Sequence, residues 1–202
     1  MRIIAGDLRG RTVASPDAST TRPTTDRVRE ALFSSLYSRA GELSGMRVLD
    51  AFAGSGALGI EALSRGAERC SFFEKDASAC KVLRANLQKL GLGPERACVH
   101  QADVLAGAGV ALAAEGPFSV VLLDPPYALP AADVCAFLVA LSAAGCLTGG
   151  CVASYEHAVL KGSAAEELEA LFTNTGLFVT SGTRAYGKIA ITYLEHEGAQ
   201  VA

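Results

Sequence analysis

The chain has 202 residues, which suits one domain with a small addition. Half of its residues are hydrophobic, and 18 basic residues against 21 acidic ones give a net charge of −3, which argues against a uniformly basic nucleic-acid-binding surface. The sequence contains no run of about 18 apolar residues and no signal-peptide core near its first residue, so we expect a cytoplasmic protein without a membrane segment.

The first 47 residues differ in charge from the rest. Residues 1–47 contain eight arginines and five acidic residues, a net charge of +3, and leave −6 for the remainder. Short runs at residues 2–6 and 9–13 flank a Gly-Asp pair and predict a small β-hairpin. We therefore divide the chain into an N-terminal hairpin extension, residues 1–21, and a main domain, residues 22–202.

A helix is predicted next, and strands and helices then alternate. Thr25 or Asp26 can cap a helix whose apolar side chains share one face: Val28, Leu32, Phe33 and Leu36. Strands follow at residues 46–52, 70–76, 97–103, 118–127 and 149–157, helices at 56–67, 77–91, 131–145 and 164–176, and two extended runs within 178–195. This alternation predicts an α/β fold built on a doubly wound, mostly parallel, seven-stranded sheet.

A glycine-rich loop follows the first main-domain strand. In "LDAFAGSGALGIEAL", residues 49–63, Gly54, Gly56 and Gly59 have the G-x-G-x-x-G spacing of dinucleotide-binding loops. Asp50 lies just before them, and a pyrophosphate there would meet a like charge that disfavours binding by up to several kcal/mol. A cationic ligand without phosphate removes this conflict, and S-adenosylmethionine, with its ammonium and sulfonium groups, is such a ligand.

Four acidic residues follow successive strands. Asp50, Glu74, Asp103 and Asp124 stand at the ends of the first four strands, and the carboxyl ends of parallel strands meet at one edge of a sheet. One or two of them could be helix caps, but four in a row favour a site. We expect Asp50 to face the amino-acid end of S-adenosylmethionine, Glu74 to accept both ribose hydroxyls and Asp103 to accept from the adenine amine.

The motif "VLLDPPY" predicts the acceptor group. Pro125 and Pro126 fix two φ angles and remove two N–H donors, which leaves the Asp124 carboxylate and the Pro125 carbonyl as rigid acceptors. Such a cluster suits an exocyclic amine, whose lone pair it can aim at the methyl group, and Tyr127 offers a flat face for stacking a base. The alternative is a purely structural role, in which the motif is a Pro-Pro turn with a buried tyrosine. Tyr155 and Glu156, at the end of the fifth strand, either shape the same pocket or are structural.

The six cysteines form no C-x-x-C pair and have no His-rich segment beside them, so we expect free thiols in a reducing compartment and no metal site.

Over nearly its full length the sequence resembles the ribosomal small subunit methyltransferase D family. The resemblance lies in "MRIIAGDLRGR", "TRPTTDRVREALFSSL", "LDAFAGSGALGIEALSRGA", "FFEKD", "LDPPY" and "RAYGKIAITYLE". It implies a Rossmann-like class I fold in residues 22–202 and N2-methylation of guanine 966 of 16S ribosomal RNA, with S-adenosylmethionine as cofactor. Implied catalytic residues are Asp124, Pro125, Pro126 and Tyr127; implied cofactor-binding residues are Asp50, Phe52, Gly54, Gly56, Glu74, Asp103, Val104 and Thr24.

The N-terminal arginines are predicted to contact the RNA backbone. The implied partner is 16S ribosomal RNA, naked or in a partly assembled small subunit, and phosphates need cationic partners. The arginines concerned are Arg2, Arg9, Arg11, Arg22 and Arg27. We expect a monomer.

Several other functions remain open at this point. A DNA adenine-N6 methyltransferase also uses D-P-P-Y but usually carries an additional target-recognition region. A protein-glutamine methyltransferase favours Asn where this chain has Asp124. Asp50 argues against a nicotinamide oxidoreductase, and an intact D-P-P-Y argues against a non-catalytic RNA-binding assembly factor.

Overall fold

The computed structural model describes residues 1–15, 26–106 and 109–198. Within these ranges the chain forms seven strands: β1 Arg47–Asp50, β2 Arg69–Glu74, β3 Ala97–Gln101, β4 Phe118–Leu123, β5 Leu147–Ala158, β6 Phe178–Tyr186 and β7 Ile189–His196. It also forms six α-helices: α1 Asp26–Ala40, α2 Ala57–Ser64, α3 Ala77–Leu90, α4 Gly109–Glu115, α5 Ala131–Ala143 and α6 Ser163–Thr173.

The seven strands form one sheet in the order β3-β2-β1-β4-β5-β7-β6. Neighbours among β1 to β5 pair in parallel, whereas β7 runs antiparallel to both β5 and β6. The predicted doubly wound, mostly parallel sheet is confirmed. The strand order reverses between β1 and β4, and in such sheets ligands bind in the crevice outside the carboxyl ends at that point.

Helices cover both faces of the sheet. Successive side chains of a strand point to opposite faces, so Phe72 and Phe73 of β2 are both buried but belong to different cores. The core containing Phe72 includes apolar side chains of α1, α2 and α3, whereas that containing Phe73 includes those of α4, α5 and α6. Burial on two sides explains why these strands read as continuous apolar runs rather than alternating ones.

Every predicted helix and strand of the main domain is present, with ends that differ by a few residues. The predicted face of α1 is buried at Val28, Leu32, Phe33 and Leu36. One helix, α4, was not predicted, and a short 3-10 turn at Val104–Ala106 precedes it. The alternative helix cap Thr25 lies outside the described residues.

Residues 1–15, which we call the N-terminal arm, contain a reduced version of the predicted hairpin. Instead of two continuous strands, an isolated antiparallel bridge joins Arg2 and Thr12. Ile3 and Val13 are buried in the same core as α1 to α3. The arm therefore contributes side chains to the core of the main domain, while the division of the chain at residue 21 stays a prediction.

Polar contacts also hold the arm against α2 and α3. The Ser64 hydroxyl of α2 accepts from the Leu8 amide and donates to the Ala5 carbonyl. The Asn86 side chain of α3 exchanges two hydrogen bonds with the backbone of Ala14.

Among the helices that the structure describes, none combines the length and the apolar composition that a membrane-spanning segment needs.

Candidate active site

A cavity of about 760 Å³ opens at the carboxyl ends of β1, β2 and β4. Its lining includes all four acidic residues predicted to follow the first four strands: Asp50, Glu74, Asp103 and Asp124. It also includes Phe52, Gly54, Val104, Pro125, Pro126, Tyr127 and Glu156. Predicted cofactor-binding and catalytic residues thus share one cavity, of a size typical of small-molecule sites.

Glu74 organises the glycine-rich loop from the end of β2. One carboxylate oxygen accepts from the Gly54 amide at 2.8 Å and the other from the Asp76 amide at 2.8 Å. Each carboxylate oxygen has two lone pairs, so these bonds leave acceptor capacity toward the cavity. The sequence predicted a ligand-binding role for Glu74 but not its contact with the loop.

Asp50 is buried at the end of β1 and accepts a hydrogen bond from the Gly59 amide in the first turn of α2 at 2.9 Å. Burial and the negative charge of Glu74 raise the pKa of Asp50 to about 7, although the Gly59 hydrogen bond opposes the shift. Because burial disfavours the ionised form of Asp50, a ligand that brings positive charge beside this carboxyl group would stabilise that form.

Gly56 was predicted to line the cofactor pocket, but it does not line this cavity. It has φ of 82° immediately before α2, and an added Cβ atom would overlap the Leu83 side chain of α3. Its lack of a side chain lets α2 begin close to α3, a packing requirement. At Gly54, by contrast, an added Cβ atom would meet nothing within 4 Å, because this residue faces open space.

Asp103 lies after β3, where one of its oxygens accepts from the Leu105 amide at 3.0 Å and stabilises the 3-10 turn. Its other oxygen is 3.8 Å from Lys75 Nζ. Val104, in the same turn, also lines the cavity. The turn thus presents a carboxylate and neighbouring backbone groups, which could meet the edge of a heterocycle.

The Asp124 side chain is partly buried and lies beside a buried acid, Glu156. Leu123 of β4 pairs with Tyr155 of β5, so the next residues along, Asp124 and Glu156, are neighbours. Each of these two carboxyl groups therefore disfavours the ionised form of the other. Burial, followed by the charges of Glu156 and Asp50, raises the pKa of Asp124 well above its usual range.

Tyr127 is half exposed beside this carboxyl pair, and its hydroxyl donates to Glu156 Oε1 at 3.3 Å. Its ring is therefore open for stacking while its hydroxyl is anchored. The purely structural interpretation of the motif, a turn with a buried tyrosine, is wrong because the ring is not buried. The sequence allows Glu156 either a role in the pocket or a structural role. The structure places its side chain in the lining of the cavity.

The arginines predicted to bind RNA occupy different environments. Arg2, Arg9, Arg11 and Arg27 are all exposed. The Arg11 guanidinium donates to the Lys89 carbonyl at 2.7 Å and the Leu90 carbonyl at 3.2 Å, so it caps the C-terminal end of α3. Arg11 therefore has a structural role, and RNA contact by any of these residues stays a prediction. Arg22, and Thr24 of the cofactor set, lie outside the described residues.

A second polar cluster lies away from the cavity. The potential ligand atoms of Cys98, His100 and Glu115 are within 4.8 Å of one another. Arg69 Nη2, however, is 3.0 Å from Glu115 Oε2, and Ser71 donates to the same oxygen. Because a guanidinium already neutralises this carboxylate, we assign no metal to the cluster, and the expectation of a metal-free protein stays a prediction. All six cysteines are free thiols.

Comparison with known proteins gives consistent matches. The sequence model of a family described as Conserved hypothetical protein 95 matches residues 1–193. The chain is 44% identical over 128 residues to ribosomal RNA small subunit methyltransferase D of Escherichia coli strain K12, which covers 63% of this chain and 60% of that relative. The first curated relatives are matched over 60 to 67% of their own length.

Two solved structures are similar over nearly their whole length. The Escherichia coli protein yhhF superposes with a TM-score of 0.74 at 33% identity, covering 98% of both chains. A hypothetical protein of Thermus thermophilus superposes with a TM-score of 0.73 at 31% identity, covering 96% of this chain and 98% of that one.

Proposed function

The chain belongs to the ribosomal RNA small subunit methyltransferase D family, and from this membership we propose that it transfers a methyl group from S-adenosylmethionine to the N2 amine of a guanine in 16S ribosomal RNA. The observation that carries the proposal is the crowding of carboxyl groups in one cavity, where the pKa values of Asp50 and Asp124 are raised. A cationic methyl donor and an amine acceptor both suit such a site. By family resemblance the target is guanine 966.

We assign the cofactor subsite to the ends of β1, β2 and β3. Asp50 faces the amino-acid end, where an ammonium and a sulfonium offset its charge. Glu74 holds the ribose hydroxyls with the acceptor capacity that Gly54 and Asp76 leave, and Asp103 with Val104 meets the adenine edge. A pyrophosphate would add negative charge beside Asp50 and Asp124, which argues against a nicotinamide dinucleotide.

The acceptor subsite consists of Asp124 to Tyr127 and Glu156. Tyr127 stacks the base, and the Asp124 carboxyl with the Pro125 carbonyl orients the N2 amine so that its lone pair faces the methyl carbon. S-adenosylmethionine, when bound here, would supply a methyl group activated by its sulfonium, and the electron pair of the broken C–S bond would stay on sulfur as the N–C bond forms. The proton lost from N2 passes to an ionised carboxylate of the Asp124–Glu156 pair.

Methyl transfer itself tests the proposed function. Tritiated S-adenosylmethionine is incubated with the protein and with unmodified small-subunit RNA, partly assembled small subunits or duplex DNA. We expect label in one of the RNA substrates, and nucleoside digestion should recover it as N2-methylguanosine. Label in DNA, at an adenine amine, or in none of the substrates would contradict the proposal.

Cofactor affinity should depend on pH through Asp50. Below pH 7 the free protein holds a proton on Asp50 that a cationic cofactor must expel, so affinity should fall by up to about tenfold per pH unit between pH 7 and pH 5. Above pH 7 affinity should level off, before the cofactor ammonium loses its own proton near pH 7.7–8.0. Calorimetry in buffers of different ionisation enthalpy counts the protons released.

The control for this effect is Asp50→Asn, which keeps an oxygen to accept from Gly59 but cannot titrate. It should weaken binding at pH 7.5 and remove most of the pH dependence between pH 7 and pH 5. An unchanged slope in Asp50→Asn would show that Asp50 does not face the cationic ligand.

We propose that the exposed arginines of the N-terminal region hold RNA phosphates. Arg9→Ala should weaken binding to the small-subunit substrate and reduce the salt dependence of log K by about 0.7 to 0.9, the value for one phosphate contact. Arg11→Ala is a contrasting variant, since loss of its bonds to Lys89 and Leu90 should lower stability. If Arg9→Ala leaves affinity and salt slope unchanged, Arg9 does not contact the RNA backbone.

A further inference from the structure

Glu156 is an acidic residue in the acceptor subsite that lies outside the D-P-P-Y motif. It is 5% exposed, lies on β5 and lines the same cavity as Asp124 and Tyr127. The pairing of Leu123 with Tyr155 fixes it beside Asp124 across two parallel strands. A buried carboxyl group beside another is unfavourable unless it has partners or a ligand to bind.

The contacts of Glu156 orient its carboxyl group within the acceptor subsite. The Tyr127 hydroxyl donates to Oε1 at 3.3 Å, and the Asp124 carboxyl group lies beside the same side chain across the two strands. A carboxylate offers about four lone-pair positions, so these two contacts are compatible with accepting a further N–H. A base stacked on Tyr127 would turn its edge toward both acids.

The two purines present different groups to such a pair. Guanine has two adjacent donors, the N1–H and the N2 amine, whereas adenine has an amine next to N1, which carries a lone pair and no hydrogen. One acceptor group suits either amine. A second group in the ionised carboxylate form suits only guanine, because it accepts but cannot donate, and it would face the N1 lone pair of adenine and remain desolvated and unpaired.

We propose that Glu156 accepts a hydrogen bond from N1–H of the target base and thereby selects guanine against adenine. This inference rests on the proposed function and deepens it, since D-P-P-Y alone is compatible with either purine amine. Asp124 addresses the reacting nitrogen, while Glu156 recognises its neighbour in the ring. The residue therefore touches the substrate without touching the atoms that exchange the methyl group.

The test combines one substitution in the protein with the replacement of one base in the RNA. Small-subunit RNA is ligated to carry 2-aminopurine in place of the methylated guanine, which keeps the 2-amine but has a lone pair at N1. The wild-type protein should lose roughly tenfold to a hundredfold in kcat/KM on this substrate, the range for a hydrogen bond to a charged group. Glu156→Gln should lose only a few-fold, because its amide can donate to that lone pair.

2-Aminopurine also lacks O6, but that loss affects both proteins equally. The difference between the wild-type protein and Glu156→Gln therefore reports on N1 alone. Glu167→Gln, the same change at an exposed position of α6 outside the cavity, is the matched control and should behave as the wild type. Calorimetry with S-adenosylmethionine and thermal unfolding should be unchanged in Glu156→Gln, which would exclude misfolding as the cause.

The outcomes separate the two claims. If wild type methylates the guanine RNA but Glu156→Gln shows the same preference for guanine over 2-aminopurine, Glu156 does not read N1–H and this inference is wrong. If the wild-type protein does not methylate guanine in any small-subunit substrate, the proposed function fails as well.

Discussion

Replacing Asp124 with alanine should lower the rate of methyl transfer at least about a hundredfold while cofactor affinity changes little. The variant removes the acceptor that orients the target amine and half of the carboxyl pair that takes its proton. Loss of one fixed polar group at the reacting centre typically raises the activation free energy by several kcal/mol, which lowers the rate. Single-turnover transfer and calorimetry measure the two quantities separately.

A loss of stability in Asp124→Ala should not account for its loss of activity. The folded-state pKa of Asp124 is raised, so the folded protein binds more protons than the unfolded chain and loses stability as pH rises above the ordinary carboxyl pKa of 3.8. Asp124→Ala removes this penalty, and its unfolding midpoint at neutral pH should not fall. Asp133→Ala, an exposed aspartate in the first turn of α5, is the control. Near-normal turnover by Asp124→Ala would overturn its role.

The largest effect on stability is expected at Glu61, a fully buried carboxylate in α2. Its oxygens accept from the Ile4 amide at 2.9 Å, the Ala5 amide at 3.1 Å and Arg65 Nε at 2.8 Å. Glu61→Ala leaves two arm amides and a guanidinium without their acceptor. Removing one partner of a buried charged pair lowers the free energy of unfolding by about 3–5 kcal/mol.

Urea denaturation measures this loss as a lower midpoint. Glu68→Ala, an exposed glutamate just after α2, is the matched control and should stay within about 0.5 kcal/mol of wild type. Hydrogen exchange at the Ile4 and Ala5 amides should accelerate in Glu61→Ala and not in Glu68→Ala. Equal midpoints for the two variants would show that Glu61 does not hold the arm.

The succession of strands and helices along the chain could be predicted because each strand is a short apolar run bounded by glycine, proline or an acid. α4 could not, since its sequence "GVALAAE" has little polar contrast; among its described side chains, Leu112 packs in the core. Helical periodicity is visible only when apolar and polar residues alternate with the period of a turn. Tertiary packing, rather than amphipathic patterning, defines this helix.

The candidate site was predictable where it depends on strand ends and less so where it depends on register. Asp50, Glu74, Asp103 and Asp124 follow apolar runs, and the topology brings them together. The pairing of Asp124 with Glu156 depends on how two parallel strands align across the α5 crossover, which no local pattern specifies. Gly56 was assigned to the ligand by motif spacing, although its neighbour is Leu83.

The position of β7 has a consequence for the order in which the protein can fold during synthesis. Among the described strands β7 is the last in the chain, yet it lies between β5 and β6 and pairs with both. While translation proceeds, β5 emerges with an unpaired edge, and β6 has no strand to join. Such an edge favours pairing with other chains until it is covered. The sheet can therefore be completed only once β7 has been synthesised and inserts between strands made before it.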